Sequence, residues 1–409
     1  MDRAAAEVTW KVLRSAIDEI HNANASKLSF EELYRSSYNL VLHKHGDFLY
    51  QSVCECIRAH LAKVALEVAG TADEVLLGPL AKAWGDHKST MFMVRDVLMY
   101  LDKTYVTQHR KVPIYDQALL IFRDVIARHD AVKGRLRHLL LAAVAAERAG
   151  QLVDRLQVKG ALSMLVELGV DSQSVYEADF EAHFLETTMA YYRSESLEFL
   201  SANTCPDYLA KAEARLGQEQ DRVRHYLHPS TEPKLRRVIE TELVTTHARS
   251  LVEMEQSGAV AMIENGKVGD LGRLYGLLAR VPPTLEILRG AVCDHVKRVG
   301  TALVSDQEKA KNPVEFVRKL LEMRDQYDEI VENAFQGEKA SQKRLKEAFE
   351  EFINADTRCA CFLVLYTDEL LKSGLKGLAE DEADAQLEKV IVLFRYLQDK
   401  DVFENFYKT

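Results

Sequence analysis

Between Leu28 and Gly46 the apolar side chains fall into two rows at helical spacing, where a helix seated on one neighbour needs only one. Leu33, Ser37, Leu40 and Val41 recur at the three-to-four-residue interval of a buried stripe. Phe30, Tyr34 and Tyr38 form a second row at i, i+4 and i+8, rotated off the first. Ser29, with Glu32 three residues on, predicts a capping box that opens the helix, and Leu28 with Leu33 predicts its hydrophobic staple. The aromatic row is left for a third element of the same domain or for a partner. Tyr suits a partner surface, because it offers a stiff ring with a polar tip; ordinary core placement is the alternative.

The rest of the chain continues in helices. The pattern predicts a first helix over about 4–23, carrying Trp10, Leu13, Ile17 and Ile20. The second runs from the Ser29 cap to Gly46 and Asp47, and the third from Asp47 to Val68, ended by Gly70. A fourth covers about 73–106, and a fifth, after Lys111-Val112-Pro113, runs from Tyr115 to Arg148 and stops at Gly150. Further breaks are expected at Gly169 to Ser172, Asn203 to Pro206, His228 to Pro233, Gly266 to Gly269, Val281 to Pro283 and Lys311 to Pro313. A polar turn from Lys372 to Gly377 leads into a last helix over about 380–407. Alternating β-branched runs are too few to propose strands. Helical blocks of similar length in series imply an elongated stack, each unit burying itself mainly against its neighbours.

Composition narrows the class. A hydrophobic fraction of 47% with 28% charged residues is that of a soluble globular chain, and 409 residues are ample for several cores. A net charge of -10, spread through the helices, argues against nucleic-acid binding. The longest apolar run, Leu139 to Ala146, is fenced by Arg137, Glu147 and Arg148 and is too short to span a bilayer. The amino end carries early charges and no long apolar stretch, so the chain reads as intracellular. Six cysteines, Cys54, Cys56, Cys205, Cys293, Cys359 and Cys361, lack the spacing of a zinc site or a disulfide framework and are expected reduced.

Candidate chemistry is sparse. Neither a dinucleotide-binding nor a P-loop glycine pattern is present. His43 and His45 alternate at a helix end without a third ligand, so no metal site is expected. Lys44 and His45 fit better as a polar rim to the aromatic row or as charges favoured by the helix dipole, and His225 and His228 as surface residues. Carboxylate pairs such as Glu31-Glu32, Glu253 with Glu255, and Glu350-Glu351 belong to charge-rich helices, with no apolar pocket to raise a pKa. Neither catalysis nor a cofactor is expected.

Several of these residues also match a known family. Phe30 to Tyr34, Val41 to His45 and Arg95 to Asp102 closely resemble the first repeat of the cullins, in particular its cullin-three branch. The resemblance continues through Ser174 to Glu181, Phe184 to Glu186, Tyr192 to Ser196, Met254 to Gly258 and Asp270 to Tyr275. It reaches Asn312 to Phe316, Lys376 to Leu378 and Leu393 to Phe403, and so covers the chain from first helix to last. It implies an all-α, elongated stalk of three five-helix cullin repeats, over 1–150, 151–262 and 263–372, with 373–409 opening the following domain. It also implies a non-catalytic scaffold of a ubiquitin ligase in the cytoplasm and nucleus. In the cullin-three branch the first repeat holds a BTB-domain substrate adaptor on its second and fourth helices, which here carry Leu28, Ser29, Phe30, Glu31, Tyr34, Tyr38 and Tyr100. A RING-box protein would bind only through a carboxy-terminal half beyond Thr409, so a fragment or truncated paralogue is expected, and dimerisation would come through adaptors.

Two departures accompany the resemblance: residues ahead of the first helix that add an apolar contact to the adaptor would precede Met1, and Cys359-Ala360-Cys361 stands where relatives have a Ser-Pro turn. The competing reading is a helical-stack scaffold of another kind, such as a tethering-complex subunit.

Overall fold

A computed structural model describes residues 1–306, 312–376 and 379–408. Among them every regular element is helical. Lys311 of one expected break, Gly377 of the polar turn, and Gly377 and Leu378 of the family match lie outside the described residues. The chain divides into two compact units, Met1–Thr188 with Gln218–Arg236, and Met189–Gly217 with Arg237–Thr409.

The first unit opens with α1 (Arg3–His21), α2 (Phe30–Leu42), α3 (Gly46–Ala69) and α4 (Leu77–Val97). The α1 start is set by Asp2, whose carboxylate accepts the Ala5 N–H at 2.8 Å, and its apolar face buries Leu13, Ile17 and Ile20. Leu80, Trp84, His87, Met91, Val94, Leu98 and Leu101 alternate four and three residues apart and are all buried, so one inward seam runs the length of α4 and beyond. After Leu98 the helix resumes at Met99–Leu101 and passes into a π turn, Asp102–Val106. The Asp102 carboxylate, at 3.0 Å, accepts the N–H of Ile114, which opens α5 (Ile114–Phe122).

Two expectations about this unit change. α2 is not closed by Gly46: Lys44 takes the left-handed conformation (φ 66°), and the His45 N–H returns to the Leu40 carbonyl at 2.9 Å. Gly46 instead starts α3, where a Cβ would lie 2.7 Å from the Tyr105 ring, so close packing and not a turn requires glycine there. The single fifth helix expected from Tyr115 to Arg148 is two. α5 runs into a π turn, Arg123–Ala127, and α6 (Asp130–Arg148) restarts where the His129 ring accepts the Ala131 N–H at 3.2 Å.

The far end of α6 enters a buried ionic network with α7 (Arg155–Glu167) and the segment Gln218–Arg236. The Arg148 Nε donates to Glu219 at 2.8 Å and its Nη2 to the Thr188 hydroxyl at 2.8 Å. Glu219 also pairs with Arg222, whose Nε reaches Glu147 at 2.8 Å; Glu147 accepts Arg155 at 2.6 Å and the Tyr226 hydroxyl at 2.9 Å.

The second unit buries Phe316, Phe335, Phe349 and Phe352. Gly300 on Leu285–Ser305 meets the Phe352 ring where any Cβ would collide. The last expected helix is also two, Glu380–Tyr396 and Lys400–Lys408. Asn354 holds the break from both sides, donating to the Tyr396 carbonyl at 2.8 Å and accepting the Gln398 N–H at 2.9 Å. No helix among the described residues is long and apolar enough to cross a membrane. The six cysteines are free, and burial pushes the Cys54 and Cys56 thiols up to about 11.

Buried histidines give the first unit a pH dependence. His87 lies in the core, its Nε2–H donating to the Ala118 carbonyl at 3.0 Å, and burial lowers its pKa to about 4. Burial, with repulsion from His60 and His87, lowers His21 to about 3. Both take up protons more readily when unfolded, near the ordinary value of about 6.5. Their contribution is therefore present above that value and is lost as pH falls below it. Between pH 7.5 and 5.5 each is expected to cost about 1 kcal/mol of stability. Urea unfolding at the two pH values checks this, and His87→Gln should flatten the dependence. The depressed carboxylates Glu147 and Glu338 act only at lower pH, since their stabilisation is lost as pH falls through the carboxylate range.

Candidate functional site

α2 is set by the short 3-10 turn Ala25–Lys27 before it and by Ser29, whose hydroxyl accepts the Glu32 N–H at 3.4 Å. Of the two arms of the capping box, Ser29 makes its own and the reciprocal one is not made. Leu33, Ser37 and Leu40 are buried, and Val41 is half-buried beside them. That face fixes the rotation of α2 and so decides where the second row points.

Phe30 is 46% exposed. Tyr34 and Tyr38 are half-buried, as is Leu28, whereas Ser29 and Glu31 are exposed. The Tyr38 ring lies against Tyr100, with centroids 4.5 Å apart and planes tilted by 49°. One tyrosine of the row thus joins α2 to the continuation of α4, and both rings keep part of their surface in solvent. Glu31 pairs with Arg35 at 2.7 Å; at 81% and 66% side-chain exposure the pair contributes little and is free to exchange partners. The surface sets large rings of low conformational entropy beside hydroxyls and the exposed carboxylates of Glu31 and Glu32.

The π turn beside Tyr100 is tied down at both ends. Tyr105 donates to Asp47 at 2.6 Å, and Lys111 reaches the same carboxylate at 2.7 Å while lying over the Tyr50 and Tyr105 rings. The two hydrogen bonds, from Lys111 and then Tyr105, hold Asp47 below the usual carboxylate range. This clasp fixes the backbone that presents Tyr100.

Sequence reasoning missed Met99 and Phe92, both exposed, which lie seven residues apart on α4 and its continuation, beside the inward seam. Phe92 stacks on Tyr115 of α5 at 4.8 Å, and Arg95 covers both rings. The seven-residue interval, set just off the buried seam, was the available signal. His43 turns back to donate to the Asn39 carbonyl at 2.8 Å, and His45 contacts the Met1 carbonyl at 3.1 Å. Among the described residues no group of three or more His, Cys, Asp or Glu is placed to hold a metal ion.

Comparison with known proteins adds the following. The family model described as the Cullin alpha solenoid domain matches residues 10–409. The chain is 43% identical to Cullin-3B of Arabidopsis thaliana over 408 residues, which is 100% of this chain and 55% of that protein. It is 42% identical to Cullin-3 of Dictyostelium discoideum over 400 residues, 98% of this chain and 52% of the relative. Similarity to Cullin-4A of Homo sapiens is lower, 32% over 404 residues, covering 98% of this chain and 52% of that protein. The chain spans about half the length of the curated relatives it matches.

Proposed function

Since the chain belongs to the cullin family, we propose that it is the adaptor-holding part of a ubiquitin-ligase scaffold, and that its adaptors are BTB-domain proteins. The observation that carries this reading is the second row of α2: Phe30 exposed, Tyr34 half-exposed and Tyr38 shared with Tyr100, on a helix whose other face is filled. Greater similarity to the Cullin-3 proteins than to Cullin-4A favours the BTB class. In this role the protein makes and breaks no bonds. It holds a bound substrate near a ubiquitin donor, and proximity supplies the rate. The remaining parts of the reading are three repeats over 1–150, 151–262 and 263–372, a following domain from 373, and residence in cytoplasm and nucleus. Calorimetric titration with the isolated BTB domains of several adaptors is the test. Saturable one-to-one binding is expected for at least some, and heat of dilution alone for all of them would remove the proposal.

A further inference from the structure

The docking rings stand on two different elements, so their separation depends on how those elements are joined. Phe30, Tyr34 and Tyr38 belong to α2, whereas Tyr100 belongs to the continuation of α4. At the end of α2 the His45 N–H returns to the Leu40 carbonyl at 2.9 Å, and α3 begins at the next residue with Gly46 and Asp47. On the other side the Thr104 hydroxyl donates to the Tyr100 carbonyl at 2.6 Å, which bonds the π turn Asp102–Val106 to the backbone that carries the ring. Asp47 and Tyr105 connect these two ends.

The connection has three parts. One carboxylate, Asp47, accepts the Tyr105 hydroxyl at 2.6 Å and the Lys111 ammonium at 2.7 Å, and hydrogen bonds to a charged acceptor are the stronger kind. Asp47 raises Lys111 and Lys111 lowers Asp47, so each keeps the other ionised at neutral pH. Lys111 also lies 4.9 Å from the Tyr50 ring centroid and 5.0 Å from that of Tyr105, within cation–π range of both. Its loop is held in turn by the Tyr50 hydroxyl, which donates to the Val112 carbonyl at 2.9 Å. The third part is a lack of bulk: Gly46 is buried, and a Cβ there would lie 2.7 Å from the Tyr105 ring.

We propose that Asp47, Tyr105 and Lys111 are positioning residues for the adaptor. They hold Tyr38 and Tyr100 in the tilted pair, centroids 4.5 Å apart, that the adaptor meets, so loss of the clasp weakens docking while every docking ring remains. The physical basis is preorganisation: a surface already in its bound arrangement loses less of its contact energy to ordering. This inference rests on the docking role proposed above and adds to it residues outside the aromatic row. A clasp that served stability alone would lower the melting point of its variants and leave their affinity unchanged.

The full chain is titrated calorimetrically with one BTB domain, beside the variants Asp47→Asn, Lys111→Gln, Lys111→Arg and Gly46→Ala. Asp47→Asn keeps the shape of a side chain that is 67% exposed, and so leaves the fold intact. That variant and Lys111→Gln are each expected to weaken binding about three- to tenfold, the size of a coupling between neighbouring groups. Lys111→Arg keeps the charge over the rings and should stay within about twofold of wild type. Gly46→Ala should also weaken binding, and a buried position cannot owe that to a lost contact with the adaptor. A double-mutant cycle decides the matter: in a Tyr100→Ala background, Asp47→Asn should cost no further affinity, since the ring it positions is gone. Wild-type affinity in Asp47→Asn would overturn the proposal. So would an equal loss with and without Tyr100, because Asp47 would then meet the adaptor itself. Failure of the wild-type chain to bind any BTB domain is a separate outcome, which removes the docking role and this inference with it.

Discussion

Replacing Glu219 with leucine is expected to destabilise the first unit by about 3–5 kcal/mol, the cost of breaking a buried ion pair by removing one partner. Its carboxylate meets Arg148 and Arg222, and the side chains of all three are at most 4% exposed. A buried guanidinium that loses its carboxylate keeps its desolvation penalty and forfeits the attraction that offset it. For a unit of this size the unfolding midpoint should drop by about 6–20 °C. The neighbouring exposed pair Asp221 with Arg224 is the control: it sits on the same helix with both side chains more than half exposed, so Asp221→Ala should cost under about 0.5 kcal/mol. Differential scanning calorimetry of the two variants separates the cases. Equal, small losses would mean that the network does not hold the unit together.

The second large effect concerns binding. Phe30→Ala and Tyr34→Ala should each weaken the complex with a BTB domain by about 2 kcal/mol, roughly thirtyfold in Kd, as loss of a central interface aromatic does. Phe30 is nearly half exposed, so the first substitution should leave thermal stability almost unchanged. Tyr38→Ala is a less clean probe, because it also removes the ring that Tyr100 rests on. Glu31→Ala should matter less than either, since its ion pair with Arg35 lies in water. Calorimetric titration of the variants against one BTB domain, with melting curves alongside, reads both effects. Wild-type affinity in Phe30→Ala and Tyr34→Ala together would detach the aromatic row from any adaptor role.

Much of α2 was legible because its information is local. The Ser29 cap and the Leu33, Ser37 and Leu40 stripe depend on residues within about three turns of one another, and together they fix which way Phe30 points. Tyr38 shows the limit of that reading. Spacing placed it in the outward row, yet its contact with Tyr100 crosses 62 positions and makes it partly structural. Gly46 was read as a helix end from its neighbours; its actual constraint comes from the Tyr105 ring, which no local rule reaches. The break at His129 was hidden because apolar spacing runs on through Ile126, Val132 and Leu136, and a histidine ring is an uncommon cap. π turns such as Asp102–Val106 have no sequence period to betray them. The Arg148 and Glu219 pair, and the stack of His21 on His60, likewise join residues whose types are ordinary and whose partners are distant.

The central claim is that Phe30, Tyr34, Tyr38 and Tyr100 become covered by a BTB domain. Hydroxyl-radical footprinting of the full chain, with and without a saturating BTB domain, reads those four side chains directly. Protection of all four is expected, while the exposed Leu197 and Leu365 of the other unit stay equally reactive. Unchanged oxidation of the four rings in a complex shown to have formed would contradict the account.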